Sequence, residues 1–127
     1  MTKAHAIVAR RAPAPVGAYS HAVVVGSTVY VSAQGPYDPR SGKTVGPGVA
    51  EQTNQAIDNV EAILAAAGSG LEYVVRVDAN LASMELFDEY DAIYRRRFPD
   101  PWPARSTVGS ELGGILVALS CIAVITR

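Results

Sequence analysis

Arg105 is the residue whose surroundings best suit it to do chemistry. It lies in Pro103-Ala104-Arg105-Ser106-Thr107, at the start of an otherwise apolar strand. An arginine does not lose its proton at working pH, so it is a poor general base. Its planar fork is instead suited to a bidentate hold on a carboxylate or a phosphate. Spacing alone equally allows an internal salt bridge to Glu111 or Asp91.

The other candidates for chemistry read more plainly. His5 and His21 are the only histidines, isolated from one another, and each is expected at the surface or at an edge. Cys121 is the one cysteine, which excludes an intramolecular disulfide framework and any zinc cluster built on cysteines. It falls in a strand expected to be buried, where a small core residue is the better reading than a nucleophile. There is no glycine-rich phosphate loop, no paired metal-ligand spacing and no G-x-S-x-G elbow. Gly46-Pro47-Gly48 precedes a helix, but Pro47 supplies no N–H and no Lys-Ser/Thr follows, so it reads as a rigid turn. Trp102, between two prolines, is expected to plug its loop against the sheet rather than flank a cleft. Arg95, Arg96 and Arg97 are expected to complement the macrodipole at a helix end.

These residues must be positioned by short elements. Strands are expected over about His5–Ala9, Ala22–Val25 and Val29–Ala33, with Gly26-Ser27 as a two-residue hairpin turn. Tyr37 to Gly42 reads as a turn, with Asp and Pro to initiate it and Gly to leave it. From Val49 to Ala67 the apolar residues follow steps of three and four, with Glu51, Gln52, Gln55, Asp58 and Glu61 off the stripe. Gly68 is the expected C′ residue. Tyr73 to Leu81 alternates as a strand, and a second helix is expected from about Glu85 to Phe98, with Ser83 as its N-cap. A strand at Arg105–Val108 and a final one at Ile115–Thr126 complete the order β-β-β-α-β-α-β-β. That order implies an α+β architecture: a mostly antiparallel six-stranded sheet with two helices on one face. The final strand is apolar on both faces, which suggests that the side away from the helices packs against another subunit.

Composition bounds the rest. The 127 residues fit one domain, residues 1–127, and 49% hydrophobic content is ample for a core. Charged residues make up 18%, a little low for a lone globule, which again points to surface covered by a second copy. A net charge of −1, from 11 basic and 12 acidic residues, argues against a nucleic-acid partner gripped by bulk electrostatics. The first residues lack the apolar stretch of a signal peptide, so a cytoplasmic location is expected. The longest apolar run, Ile115 to Ile125, is broken by Ser120 and is too short for a bilayer-spanning helix, so no membrane partner is expected.

Several stretches, in order and at natural spacing, resemble one family. Ala14-Pro15-Val16-Gly17-Ala18-Tyr19-Ser20-His21-Ala22 is similar to an A-P-x-x-x-G-P-Y-S-x-A opening. Val29 to Pro36 is similar to V-Y-x-S-G-Q-x-P, and Glu51-Gln52-Thr53 with Asn59 resembles E-Q-T followed by x-N-x-x-x-x-L. Ala66-Ala67-Gly68, Tyr94 with Phe98, and Pro103-Ala104-Arg105-Ser106 complete the set, which runs from about residue 12 to residue 126. On these motifs the chain resembles the Rid (reactive intermediate deaminase) family, also described as L-PSP endoribonuclease.

The resemblance implies a chorismate-mutase-like fold, assembled as a homotrimer with ligand clefts between adjacent subunits. It implies a hydrolase acting on C=N bonds, of the 2-iminobutanoate/2-iminopropanoate deaminase type, which turns amino-acid-derived enamines and imines into 2-keto acids and ammonia. Arg105 matches the arginine that holds the substrate carboxylate. Tyr19 lines the same cleft from the N-terminal loop, and Ser32 lies in a contributing strand. No metal or organic cofactor is implied.

The chain departs from the pattern where the water should be placed. Deaminating members carry E-x-E-A-I-A in the last strand; here the stretch is Ala118-Leu119-Ser120-Cys121-Ile122-Ala123. Asp91 stands where asparagine is usual, so a carboxylate returns from another wall. Asp91 or Ser120 is then the candidate to hold water, and Ala118 enlarges the substrate region. Hydrolysis of an altered imine is the leading expectation. The alternatives are a binding protein for small carboxylic or 2-keto acids and a diverged enzyme acting on a larger amino-substituted acid. Ribonuclease activity fits poorly with the near-neutral charge and the lack of a basic, aromatic-studded surface.

Overall fold

The computed structural model describes residues 3–126. Six strands form one sheet: β1 (His5–Ile7), β2 (Ala22–Val25), β3 (Thr28–Gln34), β4 (Val74–Leu81), β5 (Ala104–Gly109) and β6 (Val117–Val124). Two helices, α1 (Val49–Ala66) and α2 (Phe87–Arg97), follow β3 and β4. The spatial order is β1-β2-β3-β6-β4-β5, and every pairing is antiparallel except that of β4 with β5. This is the expected α+β order, with one parallel edge.

The local signals act as their chemistry requires. Val25 pairs with Thr28 across Gly26-Ser27, and Gly26 takes φ +59°, the left-handed value that a glycine-first hairpin turn needs. At the end of α1, Gly68 (φ +81°) donates its N–H to Ala65 O, and Ser69 donates to Leu64 O at 2.8 Å. These two bonds close a Schellman cap, which satisfies carbonyls the helix itself leaves free. Ser83 accepts the Glu85 N–H, but the cap starts a 3₁₀ turn (Met84–Leu86) that leads into α2.

Alternation along the strands separates two faces. Val29, Val31, Val77, Ala79, Leu81, Val117, Leu119, Cys121 and Ala123 are buried on the helix side, against Ile57, Val60, Ile63 and Leu64 of α1 and Tyr90 and Tyr94 of α2. Each fully buried aliphatic side chain in such a core contributes about 1.5–3 kcal/mol. The opposite face leaves Tyr30, Val108 and Val124 exposed. It also carries Ser120, in register with Asp78 and Ser106.

Some expectations are corrected. β1 ends at Ile7 rather than Ala9, because the Ala9 N–H leaves the ladder for His21 Nδ1 at 3.0 Å. His21 is therefore buried, not at the surface, and its Nε2 lies 2.7 Å from Pro13 O. Gln52 was expected off the apolar stripe of α1 but is buried with it. The arginines at the end of α2 also do more than offset a dipole. Arg97 hydrogen-bonds Asp58 at 2.7 Å and Asn54 Oδ1 at 2.9 Å, clipping α2 to α1.

Candidate anion-binding site

The register fixes where Arg105 points. Val77 of β4 pairs with both Arg105 and Cys121, which puts Arg105 in the row of core residues on the helix side. β5 is the sheet edge, so this row ends in solvent there, and a charged head can occupy its last position. α2 presents Phe87, Tyr90 and Tyr94 above it, at helical steps of three and four. The guanidinium carbon lies 4.4 Å from the Tyr94 ring centroid, 5.4 Å from Phe87 and 5.5 Å from Tyr90. Stacked aromatic faces attract a cation and restrict its rotation.

Asp91, on the same helix, completes the arrangement. Arg105 Nη1 donates to Asp91 Oδ1 at 2.8 Å, and Arg95 Nη2 donates to Asp91 Oδ2 at 3.1 Å. Of the two acids that spacing allowed, Asp91 and not Glu111 is the Arg105 partner. Burial alone would raise the Asp91 carboxyl; the hydrogen bonds and charges of the two arginines outweigh it and hold it below the ordinary range. Two cations and one anion leave a net charge of +1. Among the described residues only Nη1 of the Arg105 fork is engaged, so the rest of the fork can take an anion.

These groups line a cleft of about 420 Å³ with Trp102 and Pro103. Trp102 is half exposed and lies under Arg95, whose guanidinium carbon is 5.1 Å from its ring centroid. The tryptophan thus flanks the cleft mouth, against the expectation of a plug.

Tyr19 and Ser32 lie elsewhere. Tyr19 lines a different cleft of about 440 Å³, with Val16, Gln34, Tyr37 and Arg40 among its walls. Its hydroxyl accepts the Val16 N–H at 3.3 Å. Ser32 Oγ donates to Ser20 O at 2.6 Å and so fastens the Tyr19 loop to β3. Two intervening strands, β6 and β4, separate β3 from β5. Ser120 and Ala118 are on β6 but on the open face, the opposite side of the sheet from Arg105. One chain therefore brings Asp91 to Arg105 and keeps Tyr19, Ser32, Ser120 and Ala118 apart from it.

The Tyr19 cleft depends on two residues whose part sequence reasoning missed. Asn59 is buried in α1 and donates to Gly35 O at 3.0 Å and Tyr37 O at 2.9 Å. Gln52 donates to Gly46 O at 3.2 Å and accepts the Leu116 N–H at 2.9 Å. They hold the loop from Gly35 to Gly46 and the approach to β6. Their signal was present: 52 and 59 share the phase of Ala56 and Ile63, and a polar residue on an apolar stripe must find a partner.

Residues 9–125 match the family model described as Endoribonuclease L-PSP. The chain belongs to the Rid family. Relatives within it carry names of different precision. The 2-iminobutanoate/2-iminopropanoate deaminase of Rattus norvegicus is 41% identical over 116 residues, 90% of this chain and 85% of the relative. A Sulfurisphaera tokodaii protein described only as RutC family is 41% identical over 102 residues, 80% of this chain and 82% of its own. The crystal structure of Escherichia coli TdcF with bound serine superposes with a TM-score of 0.89 at 27% identity, covering 96% of this chain and 99% of that one. The Rid family thus accounts for the fold and for the order of motifs.

Proposed function

We propose that this Rid-family chain is an enamine/imine deaminase. It hydrolyses small imines derived from amino acids to 2-keto acids and ammonia, with the substrate carboxylate held by Arg105. The observation that carries this is the Arg105 fork: stacked on Tyr94, tied through one nitrogen to Asp91, and otherwise available inside a cleft of about 420 Å³. The deaminase name of the rat relative and the serine bound to TdcF supply the chemical class.

The reaction adds water across the C=N bond at C2; the nitrogen takes protons and leaves as ammonia, and a 2-keto acid remains. Fixing the carboxylate on Arg105 holds C2 in place for the water, the kind of positioning that supplies much of such a rate. Asp91, committed to two arginines and held ionised, is a weak proton acceptor and serves as a fixed negative charge beside the substrate. Ser120 is the better candidate to hold the water, in a cleft completed by a neighbouring copy. That copy also brings Tyr19, Ser32 and Ala118 to the substrate, in a homotrimer. The separation of these residues from Arg105 within one chain supports this, as do the exposed Tyr30, Val108 and Val124 on the open face. No organic or metal cofactor takes part. No helix among the described residues is long and apolar enough to cross a membrane, and the proposed setting is the cytoplasm.

The test generates 2-aminoacrylate-type imines in situ from several amino acids and follows keto-acid and ammonia release. The protein should accelerate release, and Arg105→Ala should lower the acceleration by about 10²-fold or more. No acceleration with any imine, or an Arg105→Ala protein as fast as the parent, would overturn the proposal. Binding of keto acids through Arg105 without turnover would instead identify a binding protein.

A further inference from the structure

Asp91 is an unusual neighbour for an anion clamp. A carboxylate that bonds Nη1 at 2.8 Å occupies part of the fork intended for a ligand and places a negative charge beside whatever takes the rest. Its side chain is 18% exposed and that of Arg105 is 20% exposed, and both line the same cleft, so solvent screens their neighbourhood only in part. Arg95, which shares the carboxylate from the other side, is 61% exposed and offsets its charge only in part.

A ligand carboxylate on the remaining edge of Arg105 lies one guanidinium width from Asp91. The group next in the ligand, on C2, then feels the Asp91 charge. A cationic nitrogen at that position completes an alternating array: ligand carboxylate, Arg105, Asp91, ligand nitrogen. A carbonyl oxygen at the same position turns its negative end to a carboxylate, and the keto acid brings no positive charge to offset it.

We propose that Asp91 makes the cleft discriminate at C2, so that zwitterionic 2-iminio or 2-amino acids bind in preference to the matching 2-keto acids. This rests on the carboxylate-holding site proposed above and assigns its charge selectivity to one residue. The chemical consequence is ordered. Asp91 favours the protonated iminium, which is the form that water attacks, and disfavours the keto acid that the reaction leaves behind. Hydrolysis exchanges a cationic nitrogen for a neutral oxygen beside a fixed negative charge, and release of the product is thereby helped.

The experiment measures dissociation constants by calorimetry for two unreactive probes with the same side chain, alanine as the zwitterion and pyruvate as its keto acid. The proteins are the parent, Asp91→Asn and Arg95→Ala. Asparagine keeps the shape, and its one carbonyl oxygen can still accept the Arg105 bond; its amide nitrogen cannot accept from Arg95, so Asp91→Asn removes the charge together with that exposed bond, which Arg95→Ala removes without the charge. The alanine-over-pyruvate preference should fall on the order of tenfold, equivalent to about 1.4 kcal/mol. Arg95→Ala leaves the Asp91 charge less neutralised and should move the same ratio the other way by a few-fold. Opposite signs in the two variants support the proposal; should Asp91→Asn not fold, the sign in Arg95→Ala decides. A ratio unchanged within twofold in both, or moved in one direction by both, overturns it. If neither probe binds the parent protein, the carboxylate site and this inference fall together. If the ratio shifts as expected but no imine is hydrolysed, only the deaminase reading is lost.

Discussion

Replacing Asn59 by leucine isolates the contribution of a buried side chain to the loop it holds. Leucine has the same branched shape and the same number of heavy atoms, with somewhat bulkier methyl ends, so the change removes hydrogen bonds without opening a cavity. Two donated bonds are lost, to Gly35 O at 3.0 Å and to Tyr37 O at 2.9 Å. The Gly35 carbonyl lies in a buried position, and leaving such a group unpaired costs about 1–3 kcal/mol. The Tyr37 carbonyl is more accessible and loses a net bond of about 0.5–1.5 kcal/mol. Gln55, which donates to Asn59 Oδ1 at 3.0 Å, can turn to water at little cost. Leucine regains part of the loss by apolar burial, and the expected net cost is about 2–3 kcal/mol. Urea unfolding should show a lower midpoint with an unchanged slope. Hydrogen exchange should localise the effect: the Val45 amide, bonded to Pro36 O at 2.9 Å, should exchange faster than amides at the centre of α1. A cost under about 0.5 kcal/mol, with Val45 protection unchanged, would refute the assignment of this loop to Asn59.

Two further expectations follow from buried acids of the core. Burial pushes the Tyr90 phenol up to about 12, against the pull of Arg105, so the folded protein favours the protonated form. That stability is present below pH 10 and is lost as pH rises from about 10 to 12; chemical denaturation of Tyr90→Phe across that window should show a shallower decline than the parent. The Tyr90 hydroxyl has no hydrogen-bond partner among the described residues, so the same substitution should cost little at neutral pH, where a loss above about 2 kcal/mol would contradict it. Burial likewise pushes the Cys121 thiol up to about 12. Iodoacetamide at pH 8 should leave the folded protein unlabelled over hours and modify one thiol in denaturant; rapid labelling of the native protein, read by mass spectrometry, would show Cys121 to be accessible.

Much of the architecture was legible from side-chain period alone. The run from Arg76 to Leu81 alternates and α1 repeats every three to four residues because each buries one face, and Gly26 and Gly68 mark turns whose φ only glycine adopts cheaply. The strand order was not legible. β6 comes last among the six strands yet pairs with β3 and β4, and it is this insertion that moves Arg105 away from Tyr19 and Ser32. Distant pairings depend on the whole sheet, and local pattern does not reveal them. The Arg105 partner was ambiguous for a related reason: Asp91 and Glu111 are both near in sequence, and only the helix face that α2 turns toward β5 selects Asp91. His21 and Gln52 were misplaced because polarity suggests exposure, whereas each is buried with backbone partners. Trp102 was misplaced because its companion, Arg95, belongs to another element.

The central place of β6 also bears on how the chain reaches this shape. Until β6 is available, β1-β2-β3 and β4-β5 are two separate ribbons, each with an unpaired border where β6 will insert. During synthesis those borders are open to one another's strands and to those of neighbouring nascent chains. Closure must wait for the last of the six strands, which makes folding a late event dominated by long-range contacts and therefore slow for a domain of this size. The two halves joined at that moment are also the ones that carry the Tyr19 cleft and the Arg105 cleft. Neither surface gains its final support until translation has passed β6.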